Sequence, residues 1–370
     1  MPRTTNTAAT SSPSLPVASD EPKDLAGFSC PLPLLVGERI LLGHGSGGKL
    51  SAELLASVFL PALGNPVLNR LDDQAIVSLD STKLAITTDS FVVKPLFFRG
   101  GDIGSLAVHG TINDLAMGGA EPLWLSAAFI LEEGLPIDTL RRVVASMHEA
   151  AAKAGVPIVT GDTKVVEKGS ADALFINTTG IGRVRDCISL SASQARPGDA
   201  ILVSGYLGDH GIAILAEREG LQFETQVNSD SAALHTLVAR LLEATHEVRC
   251  LRDPTRGGLS STLNEIAASS GVGVELDETT IPVREEVRGA CEMLGLDPLY
   301  VANEGKLVAI VAPSVADAAL RALQSHPLGK DAAIIGRITP EHPRMVVMRT
   351  PLGTTRIVDM LSGDQLPRIC

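Results

Sequence analysis

The sequence predicts a two-domain protein of mixed α/β (α+β) class, and three observations predict it. Its 370 residues suffice for two cores of ordinary size. From Gly37 onward, short apolar runs alternate with segments of helical periodicity, the pattern of strands and helices sharing layers. A Pro-Gly turn in "ARPGDAILVSG" opens a second unit of the same kind, which puts a domain boundary near residue 195.

The elements follow in order. Residues 1–36 are rich in Ser, Thr, Pro and Ala and read as a disordered leader. They lack the apolar core of a signal peptide, and Asp20, Glu21 and Asp24 are acids that a transit peptide avoids. The first domain spans 37–195. In it "KLAITTD" is a short strand ending in an acid, and "DIGSLAVHGTINDLAMGG" is a helix with Asp102 as N-cap and a Gly pair as its stop. "IDTLRRVVASMHEAAAKAG" is the clearest helix: Asp138 caps it, Leu140, Val143, Val144, Met147 and Ala151 line one face, and Gly155 ends it. "VPIVTGD" and "DALFINTTGIG" follow as strands. The second domain, 196–350, carries helices in "SAALHTLVARLLEAT", "GGLSSTLNEIAASSG" and "VREEVRGACEMLG" and a strand in "KLVAIVA". After "RMVVMRT" the periodicity fades, so 351–370 reads as a flexible, extended tail.

Composition removes several function classes. Aromatic residues are 3% of the chain, so the core must be aliphatic and alanine-rich. A net charge of -12 argues against nucleic acid or an anionic membrane as a partner, because both need a basic surface. No apolar run reaches the roughly 20 residues of a membrane span. Cys30, Cys187, Cys250, Cys291 and Cys370 are scattered, odd in number and never in a C-x-x-C pair, which suits reduced thiols in the cytoplasm better than zinc or disulfides.

Two groups of residues suggest chemistry. "LLGHGSGGKLS" has Walker A spacing at Gly43, Gly48 and Lys49, but Leu50 stands where Ser or Thr should hold magnesium. Gly43, Gly45 and Gly48 also fit G-x-G-x-x-G, with Asp72 and Asp73 downstream. Neither match is clean. The segment is either a plain mobile turn or a loop whose backbone, around Gly47, Gly48 and Lys49, drapes over phosphates. The acids say more. Asp73, Asp89, Asp114 and Asp253 each end an apolar segment in a turn rich in Gly or Thr. Carboxylates converging from distant parts of a chain suit magnesium, which takes oxygen ligands and bridges to substrate phosphates. The residues alone therefore suggest an Mg-ATP site without a Walker P-loop.

"LDDQAIV", "TTDSFVV", "GGDIGSLAVHGTINDLAMGGAEPLWLSAAFILEEG", "IVTGDTKVVEKG", "INTTGIG", "RDPTRGGL", "NEGK" and the final "PRIC" together resemble the HypE family of hydrogenase maturation proteins. The resemblance runs from about Gly37 to Cys370. Relatives of the same ATP-binding fold, namely aminoimidazole ribonucleotide synthetase, selenophosphate synthetase and thiamine-phosphate kinase, share the Asp motifs but not the ending. The chain departs in its long leader and at Arg99, where the family more often has proline.

The resemblance implies a PurM-like fold, homodimers with ATP near the interface, and a role in making the cyanide ligands of [NiFe]-hydrogenase. A carbamoyltransferase, HypF, loads a carboxamide on the C-terminal cysteine, which ATP-driven dehydration turns into a thiocyanate; a HypC–HypD complex takes the cyano group. Residue by residue it implies Cys370 as carrier thiol, Glu304 as base and Lys164 as the cation at the amide oxygen. It implies Asp73, Asp89, Asp114 and Asp253 as magnesium ligands, and Asn113, Asp162 and Arg256 beside the nucleotide. In the Asp72–Asp73 pair it favours Asp73. Without the resemblance, Lys164 and Glu304 read as surface charges, and Asn113, Asp162 and Arg256 equally well as turn and capping residues. Three rivals remain: a kinase or synthetase of this fold acting on a free small molecule, a non-catalytic carrier, and, through the glycine triplet, a nicotinamide-dependent oxidoreductase.

Overall fold

The computed structural model describes residues 1–2, 40–186, 188–220, 227–363 and 369–370. Contacts divide the chain into Met1–Glu38 and Arg39–Cys370. All of the expected leader except its first two residues lies outside the described residues, as do Cys30 and Cys187. The second unit carries the sheets and the helices.

Its elements run α1 (Lys49–Leu54), a π-helical stretch Leu55–Phe59, α2 (Leu60–Leu63), β1 (Ala75–Leu79), β2 (Thr82–Phe91), β3 (Phe97–Phe98), β4 (Gly101–Asp102), α3 (Ile103–Met117), β5 (Ala120–Glu132), α4 (Ile137–Ala154), β6 (Ile158–Val166) and β7 (Leu174–Val184). Then come β8 (Ala200–Val203), α5 (Asp209–Glu219), α6 (His235–Ala244), β9 (Val248–Arg252), α7 (Gly258–Ser270), β10 (Gly273–Asp277), α8 (Glu285–Leu294), β11 (Val308–Val311), α9 (Ala316–Gln324), β12 (Ala333–Thr339), β13 (Val346–Arg349) and β14 (Thr355–Ile357). One sheet has the order β1-β2-β7-β5-β6, the other β14-β13-β10-β12-β8-β11-β9, and β3-β4 form a small hairpin. Among the described residues only β5–β6 and β10–β13 pair in parallel. The first of these needs a crossover, which α4 supplies.

Helix α3 is the piece that positions the site. Asp102 caps it, its Oδ1 accepting the N–H groups of Gly104 (2.7 Å) and Ser105 (3.1 Å), as expected. Its residues are apolar nearly all round, and Ile103, Leu106, Val108, Ile112 and Leu115 are fully buried. Such a helix must be covered on every side, and α3 packs on β2, β5, β7, α4 and α6.

The structure corrects the expected α4 in two details. Pro136 takes the N-cap position, leaving Asp138 in the first turn, where it pairs with Arg141 at 2.7 Å. The buried face is Val143, Met147, Ala150 and Ala151, while Val144 is exposed. Gly155, in the left-handed region at φ 71°, ends the helix as expected. The stretch from 351 also differs from an extended tail: β14 pairs with β13, Val358 is fully buried, and Ile369 and Cys370 lie against the core beside α3 and β2.

In the first sheet β2 alternates, with Ala85, Thr87 and Phe91 buried and Ile86, Thr88 and Ser90 exposed. Its inner face packs on α3. The outer face leaves Ile86 and Ile130 exposed, and the edge strand β6 exposes Val159 and Val165. Among the described residues no helix is long and apolar enough to cross a membrane.

Candidate active site

The four acids come from four elements: Asp73 from the turn before β1, Asp89 from β2, Asp114 from α3 and Asp253 from the turn after β9. Thr87 ties two of them together, its hydroxyl reaching the Asp73 carbonyl (3.0 Å) and Asp114 Oδ2 (2.7 Å). Arg252 pairs with Asp73 at 2.8 Å and also with Glu265. Burial, opposed by Arg252 and reinforced by neighbouring carboxyls, pushes Asp73 up to about 8. Burial does the same to Asp253, to about 6. Asp114 is raised well above the ordinary range by burial and then by Asp253, Asp89 and Asp73. Asp89 is raised by burial against the pull of Arg256.

These shifts mean that the carboxyls share one electrostatic site and resist ionising together. Among the described residues no three His, Cys, Asp or Glu side chains close around a single point. An all-oxygen donor set that repels itself and is not a finished cage fits magnesium arriving with a phosphate, which needs only one or two carboxylates.

Cys370 docks beside this cluster. Val92 N–H donates to its terminal carboxylate oxygen at 3.1 Å. The Ile369 side chain is 5% exposed, in a cluster with Phe91, Val93, Ile214 and Ala302. Burial raises the Cys370 thiol above its usual range; Arg256 pulls it down, and Glu304, Asp89 and Asp253 push it further up. Arg256 feels Cys370, Asp89, Glu304 and Asp114, and donates to the Gly45 carbonyl at 3.2 Å.

Glu304 is 3% exposed, and its Oε1 has no hydrogen-bond partner among the described residues. Burial, then Asp253, Asp89 and Asp230, hold its carboxyl well above the ordinary range. Its backbone is fixed on both sides: its N–H donates to Asp230 Oδ1 (3.0 Å) and its carbonyl accepts from Asn113 Nδ2 (3.1 Å). Asp230 itself pairs with partly buried Lys306 at 3.0 Å. A buried carboxyl with an orphaned oxygen, near enough to Cys370 for its charge to act on the thiol, is what a proton-transfer group needs.

Other expected residues sit differently. Asn113 is 1% exposed and uses its amide on backbone: Nδ2 donates to the carbonyls of Ala232 and Glu304, and Oδ1 accepts from Leu234 N–H. It braces the Glu304 segment. Lys49 pairs with Asp359, and its N–H donates to the Leu361 carbonyl at 2.9 Å. Gly47 and Gly48 pack so closely that a Cβ would lie 2.8 Å from the Arg256 carbonyl oxygen and 2.2 Å from that of Leu361. The glycine loop does share a cavity of about 510 Å³ with Asp72, Asp73, Arg252 and Glu265. Asp162 and Lys164, ion-paired at 3.2 Å, are exposed on β6. The ladder runs Asp89↔Thr178, Thr178↔Ala127, Ala127↔Gly161, so β6 lies three strands from Asp89, about 14 Å away.

Thr87, Arg252, Glu265, Asp230 and Lys306 escaped the sequence reading. Lys306 closes "NEGK", and Arg252 precedes Asp253 in "RDPTRGGL"; a cation beside a buried acid was the available signal.

Residues 71–184 and 196–348 match the two families described as AIR synthase related protein, N-terminal and C-terminal domain. The carbamoyl dehydratase HypE of Azotobacter vinelandii is 59% identical over 88% of this chain and 96% of its own. A crystal structure of a HypE–HypF complex matches at 50% identity with a TM-score of 0.80, over 83% of this chain and 99% of that one. A HypE structure in complex with ATP matches at 53% identity and a TM-score of 0.76, over 90% and 100%. With a PurM-like fold, acids gathered beside a docked C-terminal cysteine, and identities this high over nearly whole lengths, the chain belongs to the HypE carbamoyl dehydratase family.

Proposed function

We propose that this protein is an ATP-dependent carbamoyl dehydratase of [NiFe]-hydrogenase maturation that acts on its own Cys370. The observation that carries the reading is the docking of Cys370 beside Glu304, Arg256 and the acidic cluster. The substrate is a carboxamide on Cys370 Sγ. Its oxygen leaves on the γ-phosphoryl group of ATP, its nitrogen loses both protons, and a thiocyanate, ADP and phosphate remain.

The chain's residues divide the work. Arg256 sits where negative charge on the phosphorylated oxygen is stabilised. Glu304 takes a proton from the amide nitrogen; its raised pKa makes it the stronger base once ionised. Held by Asp73, Asp89, Asp114 and Asp253 together with the nucleotide, magnesium would neutralise charge on the phosphoryl group. The Gly47–Gly48–Lys49 loop forms one wall of the nucleotide's cleft.

Lys164, with Asp162, lies too far along the sheet to serve the cluster of its own chain. The open face of the first sheet supports a homodimer in which a second copy brings Lys164 to the amide oxygen. HypF as the loading enzyme and a HypC–HypD complex as acceptor complete the reading. It needs cellular ATP and a reduced thiol, which suits the cytoplasm.

Intact-mass analysis of the C-terminal peptide tests it. After incubation with a HypF carbamoyltransferase, carbamoyl phosphate and ATP, Cys370 is expected to gain a carboxamide and then lose one water. Cys370→Ala is expected to take up nothing. An adduct on Cys250 or Cys291, or a loaded tail that never dehydrates, overturns the reading. ATP turnover on a free small molecule after removal of residues 369–370 would instead favour the kinase rival.

A further inference from the structure

The C-terminus is held by one buried side chain that has no part in the dehydration chemistry. His210, in the first turn of α5, is fully buried. Its Nε2 is 2.8 Å from the Ile369 carbonyl oxygen, and its Nδ1 is 2.8 Å from Ser229 Oγ. A carbonyl only accepts, so Nε2 carries the hydrogen, and the neutral ring accepts at Nδ1. The Ser229 oxygen already accepts Ser231 N–H at 3.1 Å, which leaves its own hydrogen for Nδ1. Ser229 N–H is in turn held by the Arg99 carbonyl at 2.8 Å. Phe98 stands edge-on to the ring, with centroids 5.6 Å apart. Position and tilt of the imidazole are thus set by Ser229 and Phe98, which lie outside the tail, and with the tail docked its one donor points at the Ile369 carbonyl.

We propose that His210 is a positioning residue, the latch that holds Ile369 and so fixes how much of the time Cys370 lies in the cleft. The proposal rests on Cys370 being the carrier only for its biological meaning; the latch itself is a property of the unloaded chain. When the tail leaves, Nε2–H is left in a buried place without its acceptor, so undocking is disfavoured by more than the loss of Ile369 packing. Val92 N–H, which holds Cys370, belongs to the main chain just past β2 and is kept in every variant tested below.

Thiol labelling of the full-length, unloaded protein tests this without nucleotide or partner. A maleimide is added, and each cysteine is followed by peptide mass. His210→Ala is expected to raise the labelling rate of Cys370 roughly 3- to 10-fold, the worth of one hydrogen bond. His210→Gln, whose amide Nε2–H sits where the imidazole Nε2–H did, is expected to restore the slow rate. Buried Cys250 and Cys291 are the internal controls and are expected to stay slow. The latch is overturned if His210→Ala labels Cys370 at the wild-type rate, if His210→Gln labels as fast as His210→Ala, or if Cys250 and Cys291 accelerate in parallel. Should His210→Ala not fold, Ser229→Ala, which removes the second hydrogen bond that orients the ring, is expected to label faster than wild type, and an unchanged rate there overturns the proposal equally. Because no carboxamide is involved, a failed dehydration assay leaves this result standing.

Discussion

At the scale of single residues, the acids store a conflict that pH exposes. Burial first, and then neighbouring carboxyls, push Asp73 up to about 8 and Asp253 up to about 6 in the folded chain, against an ordinary 3.8. Between those values the folded chain holds protons that the unfolded chain has released, so their contribution to stability falls as pH rises from about 4 to 8. Below about pH 6.5 His109, His210 and His235, whose pKa values burial lowers, act in the opposite sense, so the test lies above that range: in metal-free buffer the melting temperature is expected to be lower at pH 8 than at pH 7, and a rise would contradict the crowding of these carboxyls. Asp114→Asn keeps an acceptor for Thr87 and removes a charge. It is expected to raise the apo melting temperature at pH 8 by about 2 °C, to lose that gain near pH 4, and to weaken Mg-nucleotide binding at least about tenfold; calorimetry with and without nucleotide reads both. Glu304→Gln is expected to load normally and then dehydrate ~10²–10⁴ slower, seen as a carboxamide that persists on the C-terminal peptide. Residues differ in how legible these roles are. Asp102 as a cap was readable because its partners are two and three positions away. Asn113 was not, because its partners are the backbone near 232–234 and at Glu304, which no local pattern connects.

Elements were legible where periodicity and punctuation agree. Helix α4 has both, so its existence and its end at Gly155 were readable, while its start shifted with the cap. The glycine loop shows the opposite case. Its motif matches suggested phosphates, yet in the fold much of its glycine content serves contact with other backbone: Gly48 lies against Leu361. Gly48→Ala puts a Cβ 2.2 Å from the Leu361 carbonyl oxygen, which forces the two segments apart. Overpacking of this kind costs about 1–3 kcal/mol. The urea midpoint is expected to fall, with faster hydrogen exchange at the Lys49 amide, whose acceptor is that same carbonyl. An unchanged midpoint would mean that the contact is loose.

For the whole molecule, the mixed α/β class was legible from the alternation of segments, and the strand order was not, because β14 joins the sheet through pairing that no local signal announces. The outer face of the first sheet carries a prediction of its own. If Lys164 works across a dimer, Lys164→Ala and Glu304→Gln chains are each inactive alone. Mixed, they are expected to recover part of the dehydration rate, because one cleft of the heterodimer then holds both intact groups. No recovery, with mixed dimers demonstrated by mass, would place Lys164 in its own chain's cleft or outside the reaction.

The grip of the glycine loop on Leu361 also sets a leash. Lys49 N–H holds the Leu361 carbonyl, and nine residues follow it to Cys370. A fully extended chain spans at most about 3.3–3.6 Å per residue, so the sulfur sweeps a sphere of roughly 30 Å around that anchor. Any enzyme that charges or discharges it must bring its own catalytic groups inside that radius, by sitting against this face of the protein or by sending in a protrusion. A donor whose reaction centre lies deeper than the leash is long meets the thiol only after β14 has been peeled from its sheet.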